Sequence, residues 1–227
     1  MQRDVYVILP VFNEAPVIGS VINAVAEVFP NIVCVNDGSS DASAAEIEKT
    51  DAVLINHPFN LGQGAALKTG IDFALRDANV AYFITFDSDG QHQIADAVEM
   101  LSVAREGDYD IVLGSRFLGR AENIGAIRAA VLKLAVLFSN LTTRVRLTDA
   151  HNGLRVFNRR FAERLEITMP GMAHASEFVH LIAKNGFRYK EVPVTILYTR
   201  YSKARSQSLF NSINIGFDLL MGKISRR

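Results

Sequence analysis

One cysteine, Cys34, is the only thiol in these 227 residues. That excludes an internal disulfide, and its place in the apolar run Ile32-Val33-Cys34-Val35 reads as a small core residue in a reducing compartment. The N-terminus, Met1-Gln2-Arg3-Asp4, has neither the basic stretch nor the apolar run of an export signal. The apolar run from Ala129 to Phe138 is too short to span a bilayer and is broken by Lys133. No internal repeat, low-complexity tract or linker divides the chain. With 49% apolar residues it has the composition of a globular domain with a real core. One domain over residues 1–205 is expected, followed by an extension over 206–227.

Net charge is also absent, with 24 basic residues balancing 24 acidic ones, but the two signs are segregated. Up to Met100 there are 14 acidic and 4 basic residues. From Arg116 to Arg160 there are 9 basic and 2 acidic, and from Tyr198 to Arg227 there are 6 and 1. This division suits a front half that collects a metal and a back half that meets phosphates or an anionic surface. Nucleic acid is not expected as a partner, because the basic regions carry aliphatic runs instead of interleaved aromatics.

Over the first 115 residues apolar runs alternate with helical periodicity. Strands are predicted at Val5–Leu9 (stopped by Pro10), Asn31–Val35, Val53–Asn56, Val80–Phe86 and Ile111–Leu113. Helices are predicted over Ala15–Phe29, Ala65–Leu75 and Ile94–Glu106. That order implies an α/β fold with a mostly parallel sheet flanked by helices, whose ligands sit beyond the carboxyl ends of the strands. Three polar clusters follow strand ends: Pro10-Val11-Phe12-Asn13-Glu14, Asn36-Asp37-Gly38 and Asp87-Ser88-Asp89-Gly90-Gln91. Two carboxylates and an amide at alternate positions form a hard-oxygen donor set for Mg²⁺ or Mn²⁺. An acidic turn would look the same in isolation.

Together with Val35-Asn36-Asp37-Gly38-Ser39-Ser40-Asp41, Asn60-Leu61-Gly62-Gln63-Gly64-Ala65-Ala66-Leu67-Lys68 and Gly114-Ser115-Arg116-Phe117, these segments stand in the order found in family 2 glycosyltransferases of GT-A (Rossmann-like) fold. The chain resembles the branch of dolichol-phosphate mannosyltransferase and bacterial polyprenyl-phosphate glycosyltransferases over roughly Val5 to Arg205. The resemblance implies an inverting, metal-dependent transfer from a nucleotide-sugar donor to polyprenyl phosphate. It implies Asp87, Asp89 and Gln91 as metal ligands, with Asp89 in the catalytic centre. Pro10, Phe12 and Glu14 would border base and ribose, Asp37 would read the base edge, and Arg200, Lys203 and Arg205 would close on the donor diphosphate. Lys68 belongs to no phosphate loop, since the Gly-Lys-Ser/Thr triplet is missing.

On the acceptor side, Arg116 is expected just past a strand end as a fork for phosphate oxygens, with Arg128 as a second cation. Asp149, ahead of Gly153-Leu154-Arg155, is the candidate base, or else a group that orients the acceptor or Arg155. Leu154 stands where the resembled pattern has an aromatic residue. His174 is a further candidate for the metal shell or a phosphate, and a structural role suits it equally. The stripe Ile127, Val131, Leu134, Phe138 and Leu141 suits either a core helix or, as preferred, an interfacial one. Leu209, Ile213, Phe217, Leu220 and Ile224 predict an amphipathic basic helix over 206–227. Peripheral attachment at the cytoplasmic face of the membrane, with or without a small separate membrane protein, follows as an expectation. Two other readings remain: transfer to a hydroxyl of a surface or lipid-linked glycan, and a nucleotide-sugar-binding subunit without turnover.

Overall fold

The computed structural model describes residues 2–122, 136, 140, 143, 145–149, 151–169, 174–198 and 201. Seven strands form one sheet in the order β3-β2-β1-β4-β6-β5-β7. They are β1 (Val5–Val11), β2 (Asn31–Asn36), β3 (Val53–Asn56), β4 (Tyr82–Thr85), β5 (Ile111–Glu122), β6 (Arg155–Asn158) and β7 (Tyr189–Leu197). Among the described residues the helices with defined bounds are α1 (Ile18–Ala26), α2 (Ser43–Ile47), α3 (Gln63–Ala74), α4 (Ile94–Glu106), α5 (Arg159–Ala162) and α6 (His174–Asn185). Only β6 runs against the others, antiparallel to both β4 and β5. The mostly parallel α/β sheet expected from the sequence is therefore present.

Alternation along the central strands divides the core in two. Val5, Val7, Leu9 and Val11 of β1 face α1 and α4 in one apolar cluster. Ile8, with Val33 and Val35 of β2, packs on the opposite face against Ala66, Leu67 and Ile71 of α3 and against Phe83, Phe157, Phe161 and Phe178. Phe83 and Phe157 lie in register on adjacent strands, with ring centroids 5.6 Å apart.

Pro10 does not stop β1 as predicted, for the strand continues to Val11, with Pro10 opposite Val35. The reason is the direction of its missing donor. Ile8 accepts from Phe86 on the β4 side, so Pro10, two residues on, faces that side too. The β1–β4 ladder ends at Ile8↔Thr85. No ladder donor is lost, and the Pro10 carbonyl instead accepts from Ser88 Oγ at 2.8 Å. The first helix is shorter than the predicted Ala15–Phe29, because Val17 and Ile18 both donate to the Glu14 carbonyl in an entry turn. At its other end Phe29 precedes Pro30, which disfavours helical backbone.

Two differences matter more for the site. Strand β5 extends far beyond Leu113, so Arg116 lies within it and not past its end. Between the pairs Ser115↔Pro193 and Arg120↔Thr195, the residues Arg116 to Gly119 stand against the single Val194. This irregularity turns Arg116 off the ladder. Gly119 permits it, since a Cβ there would stand 2.3 Å from the Val194 carbonyl oxygen. Strand β6 has no counterpart among the predicted strands. Because it runs in reverse, its first residue, Arg155, sits opposite both Thr85 and Leu113 at the rim where the parallel strands end.

Candidate active site

The carboxyl ends of β1, β2 and β4 bring all three polar clusters to one rim. The loops after β1 and β2 are cross-tied. Asn13, at φ 56°, accepts on Oδ1 from the Ser40 amide (2.7 Å), and its own amide donates to Ser39 Oγ (2.9 Å). The Glu14 amide donates to Ser43 Oγ at 2.7 Å, and Glu14 Oε2 accepts from Tyr201 Oη at 2.7 Å. Phe12 leaves 42% of its surface exposed beside them.

Asp37 is almost fully buried and already heavily used. Its Oδ1 accepts from His57 Nδ1 (2.7 Å) and the Leu61 amide (2.9 Å), and Oδ2 accepts from the Gly62 amide (2.8 Å). His57 Nε2 lies 2.9 Å from Thr69 Oγ1 on α3. One carboxylate therefore ties the loop after β3 to the tip of β2, leaving little acceptor capacity for a base edge. Gly38 (φ 70°) lets that loop approach, because a Cβ would stand 2.5 Å from the Phe59 carbonyl carbon. Lys68 is paired with Asp72 one helical turn on.

Asp87 and Asp89 leave the end of β4. Asp87 Oδ1 accepts from Gln63 Nε2 at 3.1 Å, and Oδ2 from His92 Nε2 at 2.9 Å. Burial works against its charge, but the positive field and hydrogen bond of His92, with Arg155 and His174, outweigh that and hold the carboxyl at about 2. Asp89 moves the other way, raised by burial and then by the neighbouring Asp87 charge. Gln91 donates to Asp89 from its amide nitrogen and its side chain. Among the described residues no three His, Cys, Asp or Glu side chains converge as a metal cage. Two acidic groups with opposed shifts plus one amide suit a hard cation that takes its other ligands from a diphosphate. The donor set fits Mg²⁺ or Mn²⁺ in that way, with Asp87, Asp89 and Gln91 as the residues that would hold it.

Arg116 and Asp149 meet on the other side of β6. Asp149 Oδ2 accepts from Arg116 Nε (2.6 Å) and the Arg116 amide (3.1 Å), and the Asp149 side chain is 1% exposed. Arg116 Nη1 donates to Tyr198 Oη (2.9 Å), and Nη2 donates to the His151 carbonyl (3.2 Å). Burial disfavours the Arg116 charge, but Asp149 overrides this and raises its pKa. Between the two clusters lies the segment Asn152-Gly153-Leu154-Arg155. Thr85 Oγ1 donates to the Gly153 carbonyl at 2.6 Å, which fixes that segment against β4. His174 is buried at the start of α6 with its ring edge toward Phe178. Burial lowers the His151 pKa to about 4.

Gln63, His92, Gly153 and Tyr198 were not singled out in the sequence, although Gln63 and Gly153 lie inside segments quoted there and His92 directly follows one. Arg128, Arg200, Lys203, Arg205 and the amphipathic helix over 206–227 lie outside the described residues. Of the stretch 127–144, Val136 is described and is 7% exposed, packed in the core with α3.

The family model for glycosyl transferase family 2 matches residues 6–165. An uncharacterized protein of Methanocaldococcus jannaschii is 33% identical over 228 residues, covering 98% of this chain and 93% of the relative. The UDP-N-acetylglucosamine–dolichyl-phosphate N-acetylglucosaminyltransferase of Methanococcus voltae is 29% identical, with 99% and 98% covered. The undecaprenyl-phosphate 4-deoxy-4-formamido-L-arabinose transferase of Pseudomonas fluorescens is 27% identical, with 95% and 64% covered. Among solved structures, glucosyl-3-phosphoglycerate synthase of Mycobacterium tuberculosis with Mn²⁺ and UDP-glucose superposes with a TM-score of 0.72. That match has 15% identity and covers 99% of this chain and 79% of the synthase.

Proposed function

Because the chain belongs to glycosyl transferase family 2, with the GT-A fold and the activity of a glycosyltransferase, we propose that its acceptor is polyprenyl phosphate. The donor in this reading is a nucleotide sugar, and the acceptor oxygen displaces the diphosphate directly with inversion at the anomeric carbon. The observation that carries it is the engagement of Asp149. Its Oδ2 already takes two donors from Arg116, Oδ1 takes the His151 amide at 3.3 Å, and the side chain is 1% exposed, which leaves it badly placed to accept a proton from an incoming sugar hydroxyl. A phosphate monoester needs no such base, since its second pKa of about 6 makes it largely dianionic at neutral pH. Asp149 instead orients Arg116. Of the five guanidinium N–H groups, three are used within the protein, so two remain for phosphate oxygens.

On the donor side, Phe12, 42% exposed at the tip of β1, would border a nucleobase. The loops fixed by Asn13, Glu14 and Asp37 shape the surrounding cleft. When bound, a divalent cation on Asp87, Asp89 and Gln91 would neutralise charge on the departing diphosphate. The lipid phosphates in the names of the M. voltae and P. fluorescens enzymes, and the Mn²⁺ with UDP-glucose in the mycobacterial structure, support the same assignment. Among the described residues no helix is long and apolar enough to cross a membrane. We place the enzyme peripherally at the inner face of the cytoplasmic membrane, where the amphipathic basic segment over 206–227 would meet anionic headgroups.

The test is transfer of label from UDP- and GDP-sugars, with Mn²⁺, to polyprenyl phosphate, followed by partition into organic solvent. An acid-labile lipid-linked sugar is expected. Labelling of soluble glycans with no lipid product would refute the acceptor assignment and restore a hydroxyl acceptor.

A further inference from the structure

Arg155 is 2% exposed, yet among the described residues its guanidinium forms no ion pair. Its Nη1 is buried with no hydrogen-bond partner. A buried cation left in this state normally carries an uncompensated desolvation penalty. Nevertheless the position is held firmly from several sides. Arg155 opens β6 between Thr85 and Leu113, and its guanidinium lies 4.6 Å from the centroid of the Phe178 ring. Two residues earlier, the Gly153 backbone lies so close to Asp87 that a Cβ would stand 2.2 Å from Oδ2. Burial lowers the Arg155 pKa to about 10, while Asp87 and Asp149 favour its charge. The guanidinium therefore remains charged at neutral pH, in the field of both carboxylates but bonded to neither.

We propose that Arg155 is a positioning residue that serves as a fixed internal counter-charge to Asp87, lowering the affinity of the free site for a divalent cation so that metal and donor diphosphate bind together. A cation entering alone would meet a site whose negative charge is already partly balanced by Arg155. A diphosphate brings the extra negative charge that restores the balance. The proposal rests on the reading of Asp87 and Asp89 as the metal carboxylates.

The experiment measures Mn²⁺ binding by electron paramagnetic resonance on the whole protein, without donor or acceptor, alone and with inorganic pyrophosphate. Arg155→Gln, which removes the charge, is expected to bind Mn²⁺ alone about tenfold tighter or more, the size of effect one neighbouring charge has on a buried ionisable site. The gain in affinity from pyrophosphate should shrink with it. Equal or weaker Mn²⁺ binding by a folded Arg155→Gln would overturn the proposal. If that variant does not fold, Arg155→Lys decides the matter, because a buried lysine loses its proton as pH rises. Its Mn²⁺ affinity should then exceed that of wild type over part of the range from about pH 5.5 to about pH 8.5, and a ratio of one throughout that range would overturn the proposal as well. A wild-type protein that binds no Mn²⁺ under either condition would instead refute the metal site itself.

Discussion

Replacing Gly153 by alanine adds one methyl group, and the structure says where it must go. The new Cβ would stand 2.2 Å from Asp87 Oδ2 and 2.5 Å from both Cγ and Oδ1. Ordinary contact begins at 3.4 Å, so the carboxylate has to retreat by roughly 1 Å, a displacement that can cost about 10²-fold in rate at a reacting centre. The Gly153 backbone is not in the left-handed region, which makes the effect steric and not conformational. The strand itself cannot give way easily, since Thr85 Oγ1 holds the Gly153 carbonyl at 2.6 Å and Leu154 is fully buried. The carboxylate gives way instead, losing its bonds from Gln63 and His92. Two hydrogen bonds to a charged group, at about 1.5 kcal/mol each, set the stability cost, which lowers Tm by about 10 °C. The expected signature is thus disproportionate: a nearly intact fold, Mn²⁺–nucleotide affinity sharply reduced, and kcat/KM down about 10²-fold. Titration with Mn²⁺ and nucleoside diphosphate, beside steady-state transfer and thermal melting, separates these terms. A folded Gly153→Ala enzyme keeping its metal affinity and rate within about threefold would refute the claim that Gly153 positions Asp87.

Asp149→Asn leaves the buried Arg116 without its counter-ion, so it should destabilise the protein by about 3 kcal/mol, read by denaturant melting. Its kinetic effect should appear mainly as a raised KM for the lipid phosphate and not as a collapse of kcat, a split that varied acceptor concentrations resolve. His151 has a folded-state pKa lowered from 6.5 to about 4 by burial, so its contribution to stability is complete above 6.5 and is lost as pH falls toward 4. The Tm-against-pH curve of His151→Gln should therefore be flatter than that of wild type across that window. Gly19→Ala, in α1, places its methyl with only Glu46 Oε2 nearby, at 3.9 Å. It should stabilise the fold by about 0.5 kcal/mol through helix propensity, with transfer unchanged.

These outcomes bear on which parts of the molecule were legible in its sequence. β1 to β4 and α4 rest on local patterns, apolar runs and helical spacing, and the predicted elements lie where those patterns are. β6 has no such signal, because four residues opening with a buried arginine make a poor strand by composition. What makes it a strand is the pairing with Tyr82–Thr85 and Ile111–Leu113, far away along the chain. Pro10 misled for a related reason, since whether a proline ends a strand depends on which neighbour its nitrogen faces. The same distinction runs through the site. Asp87, Asp89 and Gln91 are adjacent in one loop and declare themselves. Of the groups that set the behaviour of Asp87, His92 lies five residues on, while the others come from the start of α3, the turn before β6 and the first residue of β6. Arg116 is similar: its identity is visible in Gly114-Ser115-Arg116-Phe117, but its orientation comes from Asp149 and Tyr198, 33 and 82 residues later. A family motif thus supplies the reacting groups, while long-range contacts fix their charge and aim. A chain with Asp87, Asp89 and Gln91 intact but a bulkier residue at position 153 would keep its ligand set and, by the steric argument above, bind its metal poorly.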